Sequence, residues 1–236
     1  MLALRCSCRE GKKIASLRKN EVRELVSFLK KFPEVAGFVL ELVNSFRPTE
    51  DEEKRWKRVF LSVKEMVSFS SVSLIEIERL LDLLERFFVK GSDRRRGDFL
   101  EVLISETAPF FFKERHRRLN QCRVFKGYKK ISDKEIDVAF VSKNFMELHE
   151  CKSNMIRQWR DPLTSKNKRG KKLLFMNELV NLCDERRVFP CCSGFEGELA
   201  VRYLKKLFDS YGINHVRPVG RKEIMGGLID RKTEKS

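Results

Sequence analysis

Several things are scarce or missing in this 236-residue chain, and each absence narrows the reading. No apolar run approaches the roughly 20 residues needed to cross a bilayer, so no membrane partner is expected. The opening "MLALRCSCREGKK" has too short an apolar stretch, with its charge behind rather than ahead of it, to read as a secretion signal. A cytoplasmic protein is therefore expected. Histidine is limited to His116, His149 and His215. Cys6-x-Cys8 and the adjacent Cys191-Cys192 lack the two-residue gap of common zinc knuckles, so a structural zinc is not expected. The seven cysteines are odd in number and scattered, which predicts reduced thiols rather than a disulfide framework. Scarce glutamine and a charged fraction of 36% make a composition of thermophilic type, for which intracellular disulfides are a known exception.

What is abundant is positive charge. Fifty lysines and arginines against thirty-four acidic residues give +16 at pH 7, with a pI near 9.7. Such a field favours polyanions, and nucleic acid is the leading partner class. A solvated basic surface or attraction to anionic lipid stays open on charge alone. The length suffices for one sizeable core plus a smaller appended unit, without disulfide or metal staples.

Helical periodicity fills the chain up to Gly91. Val22, Leu25, Val26 and Leu29 repeat at helical spacing, with Pro33 as punctuation, and a second helix is predicted over 34–46. Thr49 with Glu52, and Ser73 with Glu76, have the form of capping boxes opening two further helices. In the last, Leu74, Ile77, Leu81, Leu84 and Phe88 form an a/d stripe, which a 90-residue unit is not expected to cover alone; a homodimer is the expectation. "GSDRRRG" then breaks the pattern. It divides the chain into a small all-α amino-terminal module, 1–91, and a second domain, 92–236. There the predicted order is a helix over 98–107, strands in "QCRVFKGYKK", "KEIDVAFV" and "NFMELHEC", a helix over 171–187, a strand in "VFPCCS", a helix over 196–211, and a strand near "INHVRPV". That alternation predicts an α/β domain, a mixed β-sheet flanked by helices.

Charge interrupts two of those strands. Side chains alternate faces along a strand, so Ile136, Val138 and Phe140 point one way while Asp137 leaves the core face. On the next strand Glu150 and Lys152 share a face at i and i+2. If the strands pair through "SKN", Asp137 approaches that pair. Converging carboxylates repel unless a cation lies between them, and an all-oxygen site suits Mg²⁺ or Mn²⁺.

Asp137, then Glu150-Cys151-Lys152, with Gly97 and Glu101 on a preceding helix, resembles the PD-(D/E)XK nuclease superfamily, whose restriction-endonuclease-like fold includes archaeal Holliday-junction resolvases. Isoleucine stands where the family name has proline. The resemblance covers roughly 94–219. It implies that Asp137, Glu150 and the backbone carbonyl of Cys151 bind a divalent metal, that Glu101 supports a second metal or its water shell, and that Lys152 positions the attacking water. "EIDVAF" and "LHECKS" are also similar to the nuclease half of cyclic-oligonucleotide-activated CRISPR ancillary nucleases, though the helical amino-terminal segment does not resemble their sensor domain. The implied activity is metal-dependent phosphodiester hydrolysis in DNA or RNA. The rivals are a catalytically silent nucleic-acid-binding module and a protein-interaction module on the same fold. His149, beside Glu150, is expected to face away from the site.

Further along, "RQWRDPLTSKNKRGKK" reads as a basic loop, in which Arg157, Arg160, Lys166, Lys168, Arg169, Lys171 and Lys172 are candidate phosphate contacts and Trp159 a candidate stacking platform for an unpaired base. Arg94, Arg95, Arg96, Arg117 and Arg118 add further candidate contacts around the preceding helix.

Overall fold

The computed structural model describes residues 6–10, 20–45, 51–69, 72–89, 93–159, 168–183 and 185–233. Seven strands make one mixed sheet: β1 (Cys6–Glu10), β2 (Arg117–Lys126), β3 (Lys129–Lys130), β4 (Ile136–Val141), β5 (Phe145–Cys151), β6 (Arg187–Ser193) and β7 (Arg217–Val219), in spatial order β1-β2-β4-β5-β6-β7 with β3 beside β2. Pairs up to β4–β5 are antiparallel, and β5–β6 and β6–β7 are parallel. The change follows the connections: the β4–β5 link is a tight turn at Ser142–Asn144, whereas parallel neighbours need crossovers. Helices supply them.

The helices are α1 (Asn20–Lys31), α2 (Ala36–Ser45), α3 (Glu52–Phe69), α4 (Leu74–Val89), α5 (Asp93–Thr107), α6 (Met155–Trp159), α7 (Lys168–Leu182), α8 (Glu198–Ser210) and α9 (Arg221–Thr233). They cover both faces of the sheet. On one face Val138, Phe140, Phe189 and Cys191 pack with Leu25 and Leu29 of α1, Leu84 and Phe87 of α4, Phe99 and Leu103 of α5, and Ile224 and Leu228 of α9. On the other, Ala139, Val141, Met146, Leu148 and Cys192 pack with Met155 and Trp159 of α6, Leu173, Met176 and Leu179 of α7, and Leu204 and Phe208 of α8. Alternation along β4 thus feeds two cores, and Asp137 leaves one face only to enter the mouth of the other.

The sheet corrects the all-helical reading of the amino-terminal stretch. Cys6–Glu10 is an edge strand antiparallel to β2, with Cys6 opposite Lys126. The expectation of reduced thiols holds for Cys8, Cys122, Cys151, Cys191 and Cys192 and is corrected for Cys6 and Cys183, which form a disulfide joining β1 to the end of α7, with Cα atoms 5.5 Å apart. A chance pairing of two thiols 177 residues apart leaves no local spacing signal. Of the a/d stripe, Ile77, Leu84 and Phe88 are buried in the chain's own core and Leu74 stays exposed. Most of the stripe behind the homodimer expectation is thus covered internally, with Leu81 partly buried and Leu74 left open. Ser73 Oγ accepts the Glu76 N–H at 3.4 Å, as a capping box requires, whereas Thr49 lies outside the described residues. Helix α9 was not anticipated, because "MGGL" puts two poor helix formers at its centre. Gly227 is there for contact: a Cβ would come within 2.6 Å of the Thr107 carbonyl at the end of α5.

Candidate active site

The β4–β5 register sets Val138 opposite His149, so one step on Asp137 faces Glu150 across adjacent strands. Residues directly opposite share a face. Asp137 Oδ2 accepts the Cys151 N–H at 2.7 Å, which fixes its carboxylate over the end of β5. Glu150 is 2% exposed. Lys152, just past β5, sets its Nζ 2.5 Å from Glu150 Oε1, 3.7 Å from Asp137 Oδ2 and 3.0 Å from the Cys151 carbonyl. The three residues carried by the motif therefore meet.

A second lysine joins them. Lys172, in the first turns of α7, pairs with Glu150 Oε2 and stands 3.7 Å from Asp137 Oδ1. Each ammonium spans one oxygen of each carboxylate. By sequence Lys172 ends the basic loop over 157–172 as a candidate phosphate contact, whereas α7 begins at Lys168 and aims this side chain at the sheet.

Protonation follows from crowding. Burial and then the Asp137 charge raise the Glu150 pKa, against the two lysines. Burial works to lower Lys152, but Glu150 and Asp137 outweigh it and hold its pKa above the ordinary value. Glu101, on α5, is pushed up to about 8 by burial first and by Asp137 next. The Cys151 thiol is raised well above its usual range by burial, so it stays a thiol.

Beside the carboxylates lies a cleft of about 360 Å³ lined by Arg94, Asp98, Glu101, Gln121, Lys152 and Gln158, among others. Glu101 stands on its wall, with Oε2 buried and lacking a hydrogen-bond partner, but it is not gathered into the Asp137–Glu150 pair. Asp98 and Gln121 were missed in the sequence. Asp98 sits one turn before Glu101, and that i, i+3 spacing was its only signal. Gln121 has φ +45°, in the left-handed region, and falls between the Asn120–Val138 and Cys122–Ile136 pairs of the β2–β4 ladder. It is a bulge residue beside Asp137, a device that re-aims side chains at sites.

Other expected contacts are redirected. Trp159 is fully buried and its Nε1 donates to Cys192 Sγ at 2.8 Å, so it offers no face to a base. Its segment is not a plain loop: α6 holds 155–159, and Arg157 is exposed on it. Arg160 and Lys166 lie outside the described residues, Lys168 and Arg169 are described in backbone only, and Lys171 is exposed. Arg95 is buried and donates to the Arg86 and Phe87 carbonyls, capping α4. Arg96, also buried, donates to the Ser153 carbonyl at 3.0 Å and so braces the turn after Lys152. Arg117 and Arg118 pair with Val141 and Phe140, at the end of β4 away from Asp137, and Arg118 is held by Glu106 at 2.6 Å. Arg94 remains exposed at the cleft.

His149 turns to the opposite face, against Phe140. With Glu147 and Cys191 it makes a buried trio whose ligand atoms lie within 4.8 Å. Both Glu147 oxygens already accept backbone N–H groups of Phe110 and Phe111 at 2.8 Å, and His149 bridges Glu147 and Ser193. That network pins the chain after α5 to the sheet.

No protein-family model matches this chain, and no curated protein does. Among solved structures it is similar to Can2 from Sulfobacillus thermosulfidooxidans, determined in complex with cyclic tetra-adenylate, at 12% identity and a TM-score of 0.34 over 89% of this chain. The chain spans 56% of the Can2 chain's length. A likeness at that level transfers neither ligand nor activity.

Proposed function

We propose that the chain is a metal-dependent nuclease of PD-(D/E)XK type, hydrolysing phosphodiester bonds in DNA or RNA with Mg²⁺ or Mn²⁺. The observation that carries the reading is the meeting of Asp137, Glu150 and Lys152 at the end of two paired strands, on a sheet flanked by helices. A divalent cation fits this place: the donors are all oxygen, the carboxylates crowd one another, and the buried Glu101 Oε2 has no partner. Asp137, Glu150 and the Cys151 carbonyl would hold it, with Glu101 serving its water shell. When bound, such an ion supplies a Lewis acid and a water of lowered pKa.

The chain's own residues do the rest. Lys152 is already oriented by Glu150 and the Cys151 carbonyl, so its ammonium can position a nucleophilic water and offset charge in the transition state. Arg96 keeps the turn carrying Lys152 in place through Ser153. Arg94 at the cleft and the net charge of +16 draw the polyanion in.

The test is single-turnover cleavage of labelled single- and double-stranded DNA and RNA with Mg²⁺, Mn²⁺ or EDTA. Asp137→Asn and Glu150→Gln should each abolish cutting. Lys152→Met should slow the step by about 10²-fold or more while binding is largely kept, as for an electrostatic donor acting in the transition state. A wild type that binds nucleic acid but never cuts it would favour the silent binding module.

A further inference from the structure

Two lysines on two carboxylates are more than the proposed chemistry requires, and they differ in how they are held. Lys152 is tethered to the strand that carries Glu150 and has a second anchor in the Cys151 carbonyl. Among the described residues, the Lys172 ammonium meets only Glu150 and Asp137. It comes from a separate element, α7, whose preceding residue Lys171 is exposed.

The charge count then decides which one yields. Asp137 and Glu150 against Lys152 and Lys172 sum to zero. A divalent ion added between the carboxylates leaves an excess of two positive charges in a largely buried space, where like charges repel strongly. Withdrawing one ammonium relieves that excess, and Lys172 has the fewer attachments. On its own side lie two more cations and one carboxylate: Lys134 Nζ donates to the Lys171 carbonyl at 2.7 Å, and burial, then the Lys171 charge, lowers the Lys134 pKa against Glu178, with Lys172 adding to the lowering. Lys172 withdrawn to that side brings a third ammonium to where Glu178 already opposes the other two, and the excess of cations favours an added anion. A phosphodiester is the anion that the site is built to meet.

Resting on the nuclease reading above, we infer that Lys172 is an exchangeable counter-ion that occupies Glu150 and Asp137 in the metal-free protein, is displaced by the divalent ion, and then engages a substrate phosphate. Metal and polynucleotide binding are thereby coupled through one side chain, and the coupling is reciprocal.

Isothermal titration with Mn²⁺, without nucleic acid, tests this on the full chain. Lys172→Gln removes the competitor and should bind Mn²⁺ about tenfold tighter than wild type, within the roughly 5- to 150-fold span of coupled sites. Lys172→Arg keeps the charge and should stay near wild type. With an uncleavable phosphorothioate oligonucleotide, Mn²⁺ should tighten wild-type binding more than Lys172→Gln binding. Equal or weaker Mn²⁺ affinity in a folded Lys172→Gln protein overturns the inference and leaves the nuclease reading standing. A wild type that takes up no Mn²⁺ overturns that reading itself. Should Lys172→Gln fail to fold, a crystal structure of wild type with Mn²⁺ decides: Lys172 Nζ withdrawn from Glu150 supports the exchange, and Lys172 still paired with Glu150 overturns it.

Discussion

Glu101 shows what crowding does to a single carboxyl. Its pKa rises from 4.5 to about 8 in the folded chain, because burial and the nearby Asp137 both disfavour the charge. The folded state therefore binds more protons than the unfolded state between those values, and stability must fall as pH rises through that window. In EDTA, urea-unfolding midpoints of wild type should decline from pH 5 to pH 8, and Glu101→Gln should flatten the decline. An unchanged slope in the variant would assign it to other groups. At this scale Asp137, Glu150 and Lys152 were legible in the sequence, since strand alternation alone tells which charges share a face. Lys172, Asp98 and Gln121 were not. Lys172 reaches the site only through the path of α7 across the sheet, and Gln121 only through a bulge, which shifts alternation by one residue and leaves no mark in composition.

Among the elements, α6 was the largest surprise. A tryptophan set among arginines read as a base platform, yet five helical residues suffice to turn its ring into the second core, where it packs with α7 and α8 side chains. Cationic neighbours on the exposed side say nothing of where the ring points. Trp159→Ala should cost about 3–5 kcal/mol, the range for removing a large buried aromatic. Urea denaturation reads this as a lower midpoint, and anisotropy titrations under folding conditions should show an unchanged salt slope for nucleic-acid binding. Strands β4, β5 and β6 and helices α1, α4 and α8 were readable because each has a clean period or a short apolar run between turn residues. β1 was not: five residues alternating cysteine with polar groups carry little pattern, and only the exposed edge of β2 gives them a partner.

Over the whole molecule, the anticipated mixed sheet flanked by helices is present, and the break at "GSDRRRG" falls at the start of α5. The helices before it share one apolar cluster with α5, α9 and the sheet, so burial there ties distant parts of the chain together. Charge is a property of this scale as well, and the excess of basic residues could be read from composition without any fold. The Cys6–Cys183 link belongs here too. Topologically it closes most of the polypeptide into a covalent ring, with residues 1–5 and those from 184 onward outside it. A protease that clips the ring once cannot release a fragment. Limited proteolysis within 7–182 should leave a single band of near full-length mass on a non-reducing gel, which separates into two only after dithiothreitol. Two bands without reductant would show that the ring is open in solution. While it is closed, α7, and Lys172 with it, stays fastened to the first strand even when the backbone between them has been cut.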